Sequence, residues 1–322
     1  MEVHPDQKED FENTFYNILA DGYCESSPYD YLVLFSGGKD STYLAHKLKQ
    51  AKGGRVCLFT VENGFEEKSY VEKVKKVASQ LGADLFIYQP LQDELIEFYR
   101  FLITEDRLKE FDTNPLCFYC GRYFMALGME FARRNNIPFV AYGATPMQLR
   151  KRKRADSLRD IEIFDMVSRK ILMGNYKKIQ AIEQYHTNPV IKKIFDKLFA
   201  DHAPSKLIFP FHYLDYNIET IKQTLRETYG WQPPVEGLPM EKYLSSGCRM
   251  ISLFGLLNKK RGFIPHELEQ FEHDRDTMSG DAYEHNIAFL EEVMTGKITP
   301  EIRELAESLG LEEELIEQGE QI

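Results

Sequence analysis

Nothing in the chain approaches the ~18 consecutive apolar residues that a membrane-spanning helix needs, so no such span is expected. The opening residues, Met1-Glu-Val-His-Pro-Asp-Gln-Lys-Glu-Asp10, are acidic and polar and lack the basic and apolar blocks of a signal peptide. A cytoplasmic protein is therefore expected. Cysteine is sparse, at five residues, and thiols stay reduced in that compartment, so ligands or free thiols are expected rather than disulfides. Positive charge is short as well: 40 lysines and arginines face 51 aspartates and glutamates, for a net charge of −11. A protein that lives on a polyanion usually carries a basic footprint. The balance thus argues against tRNA as substrate and for a small acceptor. Internal repeats and low-complexity tracts are absent. No Ser-His-Asp triad can be argued from spacing, because triads are defined by geometry.

What is present is ordinary in bulk and specific in one place. At 322 residues the chain can bury about three quarters of its unfolded surface, as one large domain or one domain with an appendage. Its 43% apolar and 28% charged content are those of a globular protein. The specific stretch is Tyr31-Leu-Val-Leu-Phe-Ser-Gly-Gly-Lys-Asp-Ser-Thr42. Tyr31 to Phe35 read as a buried parallel strand. Gly37 and Gly38 allow a tight turn and close approach of a ligand to the backbone. Ser36, Ser41 and Thr42 supply hydroxyls, and Lys39 supplies a compact positive charge. Tyr43–Gln50 reads as a helix, with Leu44 and Leu48 on one face. Strand, glycine turn and helix N-terminus together suit phosphate, since amide donors and the positive dipole end point at the anion.

A Walker A loop would need a glycine five residues before its Gly-Lys pair and a Ser or Thr directly after it. Val33 and Asp40 stand there instead. Ser36-Gly-Gly-Lys-Asp-Ser41 resembles the PP-loop of the ATP pyrophosphatases, of the adenine nucleotide alpha hydrolase-like superfamily. The resemblance implies an enzyme that splits ATP between its α and β phosphates and adenylates a carbonyl or amide oxygen. It implies nucleotide contacts at Ser36, Gly37, Gly38, Lys39, Asp40, Ser41, Thr42, Val61 and Gly143, with Lys39 and Asp40 catalytic. At Asp40 a carboxylate suits either Mg²⁺ or the helix N-terminus.

Further along, Arg55–Val61 reads as the second strand, Glu66–Leu81 as an amphipathic helix, and Asp84–Tyr88 as the third strand. Leu91–Leu102 and Phe124–Asn135 read as helices, and Ile137–Tyr142 as the fourth strand, ended by Gly143. Alternation of this kind predicts a doubly wound parallel α/β sheet, with ligands at the carboxyl ends of the strands. Lys206–Phe211 reads as a fifth strand and Ile218–Tyr229 as its helix, which makes the sheet five-stranded and PP-loop/HUP-like. Residues 1–30 form a lead-in with a helix near Phe11–Leu19, 31–230 the ATP pyrophosphatase domain, and 231–322 a helical extension. Within the domain, about 150–205 reads as a helical insertion over the strand ends, with helices at Asp160–Met173, Asn175–Gln184 and Pro189–Phe199. Glu291–Leu315 reads as an acidic pair of helices for packing or dimerisation.

Cys117-Phe-Tyr-Cys120 and the distant Cys248 are the other motif. A CxxC pair in a cytosolic enzyme points to metal, an iron–sulfur cluster or redox work, or to structural thiols. With no second CxxC or His pair at ligand spacing, a four-ligand zinc site is not written in the sequence. The order CxxC, then a single late cysteine, resembles the PP-loop tRNA 2-thiolation enzymes. That resemblance implies a 4Fe-4S cluster on Cys117, Cys120 and Cys248, with one open iron for incoming sulfur. A second resemblance is to the N-acetyl sugar amidotransferases, through Cys117–Cys120, the strand Asn136-Ile-Pro-Phe-Val-Ala-Tyr-Gly143 and the tail Gly296-Lys-Ile-Thr-Pro-Glu301. It implies ammonia from a glutaminase partner in place of a sulfur donor. Arg122 and Arg249, next to the proposed ligands, are expected to favour thiolate. Cys57 reads as core and Cys24 as incidental.

The run Arg150-Lys-Arg-Lys-Arg154 suits an anionic substrate or the pyrophosphate leaving group, with a solvated loop as the competing reading. His212 and His266 read as structural, and Phe209, Phe211 and Tyr213 as core rather than a stacking platform. The expected partners are thus ATP with Mg²⁺, a small-molecule or nucleobase acceptor, and a sulfur or ammonia donor.

Overall fold

The computed structural model describes residues 5–21, 24–66, 69–110, 115–144, 175–201, 203–231, 248–250, 253, 256–257 and 298–312. Five short apolar strands form its centre: β1 (Tyr31–Leu34), β2 (Val56–Val61), β3 (Asp84–Tyr88), β4 (Phe139–Ala141) and β5 (Lys206–Ile208). Their order is β3-β2-β1-β4-β5, and every neighbouring pair is parallel. The predicted doubly wound five-stranded sheet is the one observed.

Strand alternation sorts the core into two layers. Leu32, Cys57, Phe59 and Val140 face α4 (Gln92–Thr104), α5 (Pro115–Arg134), α8 (Pro189–Leu198) and α10 (Pro300–Leu309). Tyr31, Val33, Leu58, Phe139, Ala141 and Ile208 face α1 (Pro5–Asp21), α2 (Lys39–Lys49), α3 (Tyr70–Leu81) and α9 (Ile218–Tyr229). Between β4 and α8 lie α6, described from 175 to 180, and α7 (Glu183–Thr187). Leu44, Leu48 and Val74 are 0% exposed. Burying such a side chain contributes about 1.5–3 kcal/mol.

Crossovers from β1 to β2 to β3 carry α2 and α3 on one face. Those leading to β4 and β5 carry α4, α5 and α8 on the other, as a single hand of crossover requires. The winding therefore reverses between β1 and β4. Chain leaving these two strands diverges there and opens a crevice at their carboxyl ends.

Several boundaries differ from expectation for local reasons. α1 is longer than its Phe11–Leu19 core. α3 begins at Tyr70 rather than Glu66, because the Glu66 carboxylate accepts from the Asn63 and Gly64 amides and closes a turn. α5 begins at Pro115 rather than Phe124, with proline at its first position, where its missing N–H costs nothing. The CxxC therefore lies within a helix. β5 stops at Ile208 rather than Phe211, since Pro210 starts a short 3-10 turn. The helix expected over Asn175–Gln184 breaks at Ala181. Ile191, Ile194, Phe195 and Leu198 give α8 an apolar stripe, and it buries that stripe against α4 and α5. The described part of the insertion thus packs on a sheet face, not over the strand ends. Arg100 Nε donates to Leu309 O at 2.9 Å, tying α10 to α4 in the same core layer. Residues 150–154, the helix expected over 160–173, His266 and 296–297 lie outside the described residues.

Candidate functional site

The loop after β1 is built to expose amides. Gly37 has φ 71°, a conformation an L side chain resists, and turns the chain into α2. Gly38 is the N-cap and offers no side chain of its own to cap the first turn, and its amide donates to Ser36 Oγ at 3.4 Å. The serines brace the turn instead: Ser41 Oγ donates to Gly38 O at 3.2 Å and accepts from the Ser36 amide at 3.2 Å. Lys39 is only 7% exposed, and its Nζ lies 2.7 Å from Asp40 Oδ2. Thr42 Oγ1 is fully buried with no hydrogen-bond partner among the described residues.

Gly143, just past β4, closes on this loop from the other side of the crevice. A Cβ placed on it would lie 3.4 Å from Asp40 C and Ser41 N. Ser36, Gly37, Gly38, Lys39, Asp40, Ser41, Thr42 and Gly143 thus converge at the switch point. Val61 ends β2, half-buried beside Tyr88 in the core, one strand further out.

Two residues the sequence reading missed hold the loop. Trp231 Nε1 donates to Gly37 O at 3.1 Å, and Tyr216 OH donates to Asp40 Oδ1 at 2.8 Å. The first could have been suspected, since Trp231 is the only tryptophan in the chain. Nothing in the sequence singles out Tyr216 among 18 tyrosines.

The cysteines separate into two kinds. Cys57 is core, 2% exposed, and burial pushes its thiol up to about 12. Cys24 is half-buried and hydrogen-bonds to Ser26 Oγ at 3.2 Å, which lowers its pKa. Cys120 and Cys248, 128 positions apart in sequence, approach the same surroundings. Cys120 Sγ hydrogen-bonds Tyr99 OH at 3.2 Å, and Cys248 Sγ accepts from Asn63 Nδ2 at 3.8 Å. Phe65 joins the two, packing on Tyr99 at 5.6 Å and accepting from the Arg249 amide. Burial pushes the Cys120 thiol up to about 12; the Tyr99 bond opposes this, and Cys248 and Glu66 add to it. The expected thiolate bias from Arg122 and Arg249 is therefore outweighed: desolvation dominates, and Arg122 Nη1 points at Met125 Sδ, 4.0 Å away. Cys117 lies one helical turn before Cys120 on α5; its side chain is outside the described set. Cys24, Cys57, Cys120 and Cys248 are unbridged, and no three metal-binding side chains cluster among the described residues.

Phe209, Phe211 and Tyr213 are buried, as expected of core residues. His212 occupies the short turn after β5, and its side chain is not described. Among the described residues no helix is long and apolar enough to cross a membrane.

The chain matches no family model and no curated protein sequence. Among solved structures it is similar to the U34-tRNA thiolase NcsA from Methanococcus maripaludis, solved with its 4Fe-4S cluster. There the identity is 13% over 89% of this chain and 81% of that one, with a TM-score of 0.38. It is also similar to a predicted subunit of tRNA methyltransferase from Methanocaldococcus jannaschii, at 21% identity over 74% of this chain and 90% of that one, with a TM-score of 0.36. At TM-scores below one half, neither alignment fixes an activity.

Proposed function

We propose that the protein is an ATP pyrophosphatase-type enzyme that adenylates a carbonyl or amide oxygen and then transfers sulfur to the activated carbon. One observation carries the reading. A glycine turn with a buried lysine sits at the topological switch point, and Gly143 of the neighbouring strand closes against it.

ATP is the substrate of the first step. The amides of Gly37 and Gly38 and the Lys39 ammonium face its phosphates, and the dipole of α2 adds to their field. Asp40 suits Mg²⁺, being a partly exposed carboxylate held from the far side by Tyr216. The acceptor oxygen attacks the α-phosphorus, an O–P bond forms, and the bond to the β-phosphate breaks, releasing pyrophosphate. Sulfur then attacks the activated carbon, and AMP leaves with the oxygen. The protein's contribution is to position both partners and stabilise charge.

Cys117, Cys120 and Cys248 would hold the 4Fe-4S cluster. Two of these thiols approach common surroundings through Tyr99, Phe65 and Asn63, and the third is one helical turn from its neighbour. Thiolate donors suit iron, and a nearby cation such as the metal itself would favour ionisation of the partly buried Cys120 thiol. When bound, such a cluster supplies an iron site for incoming sulfide.

The test is anaerobic purification with iron and sulfide assays beside pyrophosphate release. Cys248→Ser should lower iron occupancy and sulfur transfer as severely as Cys117→Ser, while Cys57→Ser should change neither. Iron-free protein that transfers ammonia from glutamine would replace sulfur by nitrogen and leave the adenylation step standing.

A further inference from the structure

We propose that the open edge of β3 is the surface on which two copies of this chain pair, antiparallel about a two-fold axis at Phe86. The inference stands apart from the adenylation reading.

β3 ends one side of the sheet and has β2 as its single strand neighbour. Tyr88 O accepts from the Glu62 amide at 2.9 Å. Tyr88, Phe86 and Asp84 therefore turn their backbone polar groups toward β2, and the alternate residues Leu85 and Ile87 point theirs outward. Those outward groups meet no partner among the described residues. The side chains at this edge are bare as well. Phe86 is 41% and Leu91 66% exposed, two of the three large hydrophobics in the open among the described residues. The Phe86 ring lies 4.4 Å from Phe131 and stacks on Phe59 at 5.9 Å, which fixes its position while its outer part stays uncovered.

An open edge is a template for pairing, and natural proteins blunt it with short strands, lysine or proline. The opposite edge has all three: β5 is three residues long, opens on Lys206 and is followed by Pro210. β3 runs for five residues, Asp84-Leu-Phe-Ile-Tyr88, and has neither lysine nor proline.

The strand's own pattern selects a second copy as the occupant. Turned about Phe86, another β3 sets Leu85 of one copy opposite Ile87 of the other, so every outward N–H and C=O finds a partner. The two Phe86 side chains become a close cross-strand aromatic pair, each backed by its own Phe131. Charge agrees with this register. Asp84 is the one charged residue of β3, and the axis sets it against Tyr88 of the other copy, away from its own counterpart. The axis also brings the amino end of one sheet toward the carboxyl end of the other. The first carries Arg134 at the end of α5, with its side chain 68% exposed, and the second carries Glu62, which accepts from Gln89 Nε2. One strand edge is small beside the ~800 Å² per partner of a standard interface, so the expected dimer is reversible, with a Kd in the micromolar range.

The test is sedimentation velocity of the full-length, reduced protein over a concentration series, with Phe86→Lys and Ile87→Pro as variants. Wild type should pass from monomer to dimer as concentration rises. Phe86→Lys sets two like charges together at the axis, and Ile87→Pro removes an outward N–H that the β2 ladder does not use. Each should raise Kd at least about tenfold, with circular dichroism unchanged. Phe86→Cys reads the register without relying on those two variants. The paired Cα atoms would lie about 4.5 Å apart, so mild oxidation should trap more disulfide-linked dimer than in wild type treated alike. Asp84→Cys, whose two copies the axis keeps about 14 Å apart, should trap no more than wild type. A chain that stays monomeric up to about 500 µM overturns the proposal, because no partner strand of its own then covers the edge. A dimer that survives both Phe86→Lys and Ile87→Pro places the interface elsewhere and overturns it too. Trapping by Asp84→Cys in preference to Phe86→Cys refutes the axis and the pairing with it.

Discussion

Replacing Asp40 by Asn separates the two tasks assigned to the first turn of α2. Asp40 Oδ2 holds Lys39 Nζ at 2.7 Å, and Oδ1 accepts from Tyr216 OH at 2.8 Å. ATP must draw Lys39 away from this carboxylate or share it. Asp40 is 24% exposed, so the ion pair's net worth is about 1 kcal/mol or less. Asp40→Asn should therefore strengthen binding of metal-free ATP by at most about fivefold. If Asp40 also holds Mg²⁺, the substitution removes a charge-assisted ligand worth about 1.5–3 kcal/mol. Binding and turnover with Mg-ATP should then fall at least about tenfold. The preference inverts: wild type favours Mg-ATP, and the variant favours ATP in chelator. Asn retains an oxygen for Tyr216, so the fold should be kept. Lys39→Met keeps most of the buried stem and should weaken both forms of ATP about tenfold or more. The assay is an ATP titration with and without Mg²⁺, alongside pyrophosphate release. Equal ATP affinity in wild type and both variants would refute the loop assignment. Equal losses with and without Mg²⁺ in Asp40→Asn would refute the metal role alone.

Three further outcomes are expected. Because Trp231 Nε1 bonds Gly37 O, ATP should change the intrinsic fluorescence of this sole tryptophan, and Trp231→Phe should weaken ATP about fivefold through the lost hydrogen bond; an unresponsive indole in protein that binds ATP by calorimetry would count against it. In α5, Gly121→Ala meets nothing within 4 Å and should stabilise by about 0.5–1 kcal/mol. Gly128→Ala would place Cβ 2.4 Å from Leu34 Cδ2 with Phe59 alongside, so overpacking of about 1–3 kcal/mol should cancel or exceed the helix gain; a higher Tm for Gly128→Ala than for Gly121→Ala would contradict the packing. Iodoacetamide at pH 8 should label Cys24 first and leave Cys57 unlabelled, since Ser26 lowers the first thiol and burial pushes the second up to about 12. The folded Cys57 is harder to ionise than the unfolded one, so its contribution to stability is intact below about pH 9 and falls as pH rises toward 12; mass spectrometry and urea titrations at pH 8 and 10.5 check both.

By itself, the sequence determined the alternating strands and helices, the parallel sheet and the glycine turn from β1 into α2, because each depends on local periodicity and a short run of special residues. β3 and α9 have the boundaries that alternation and helical spacing predict. Two of the boundaries it missed, at α5 and β5, turn on single prolines whose effect depends on what surrounds them. Strand order, and with it the switch point that faces Gly143 to Asp40, belongs to the tertiary structure, because many pairings satisfy the same hydrophobic pattern. The same holds for Trp231 on Gly37, Tyr216 on Asp40, and Cys248 beside the turn that also supports Cys120. The bonds from Trp231 to Gly37, Tyr216 to Asp40 and Asn63 to Cys248 join residues 194, 176 and 185 positions apart. Local propensity has no reach over such distances; the packing of α5 and α9 on opposite faces of one sheet brings them together.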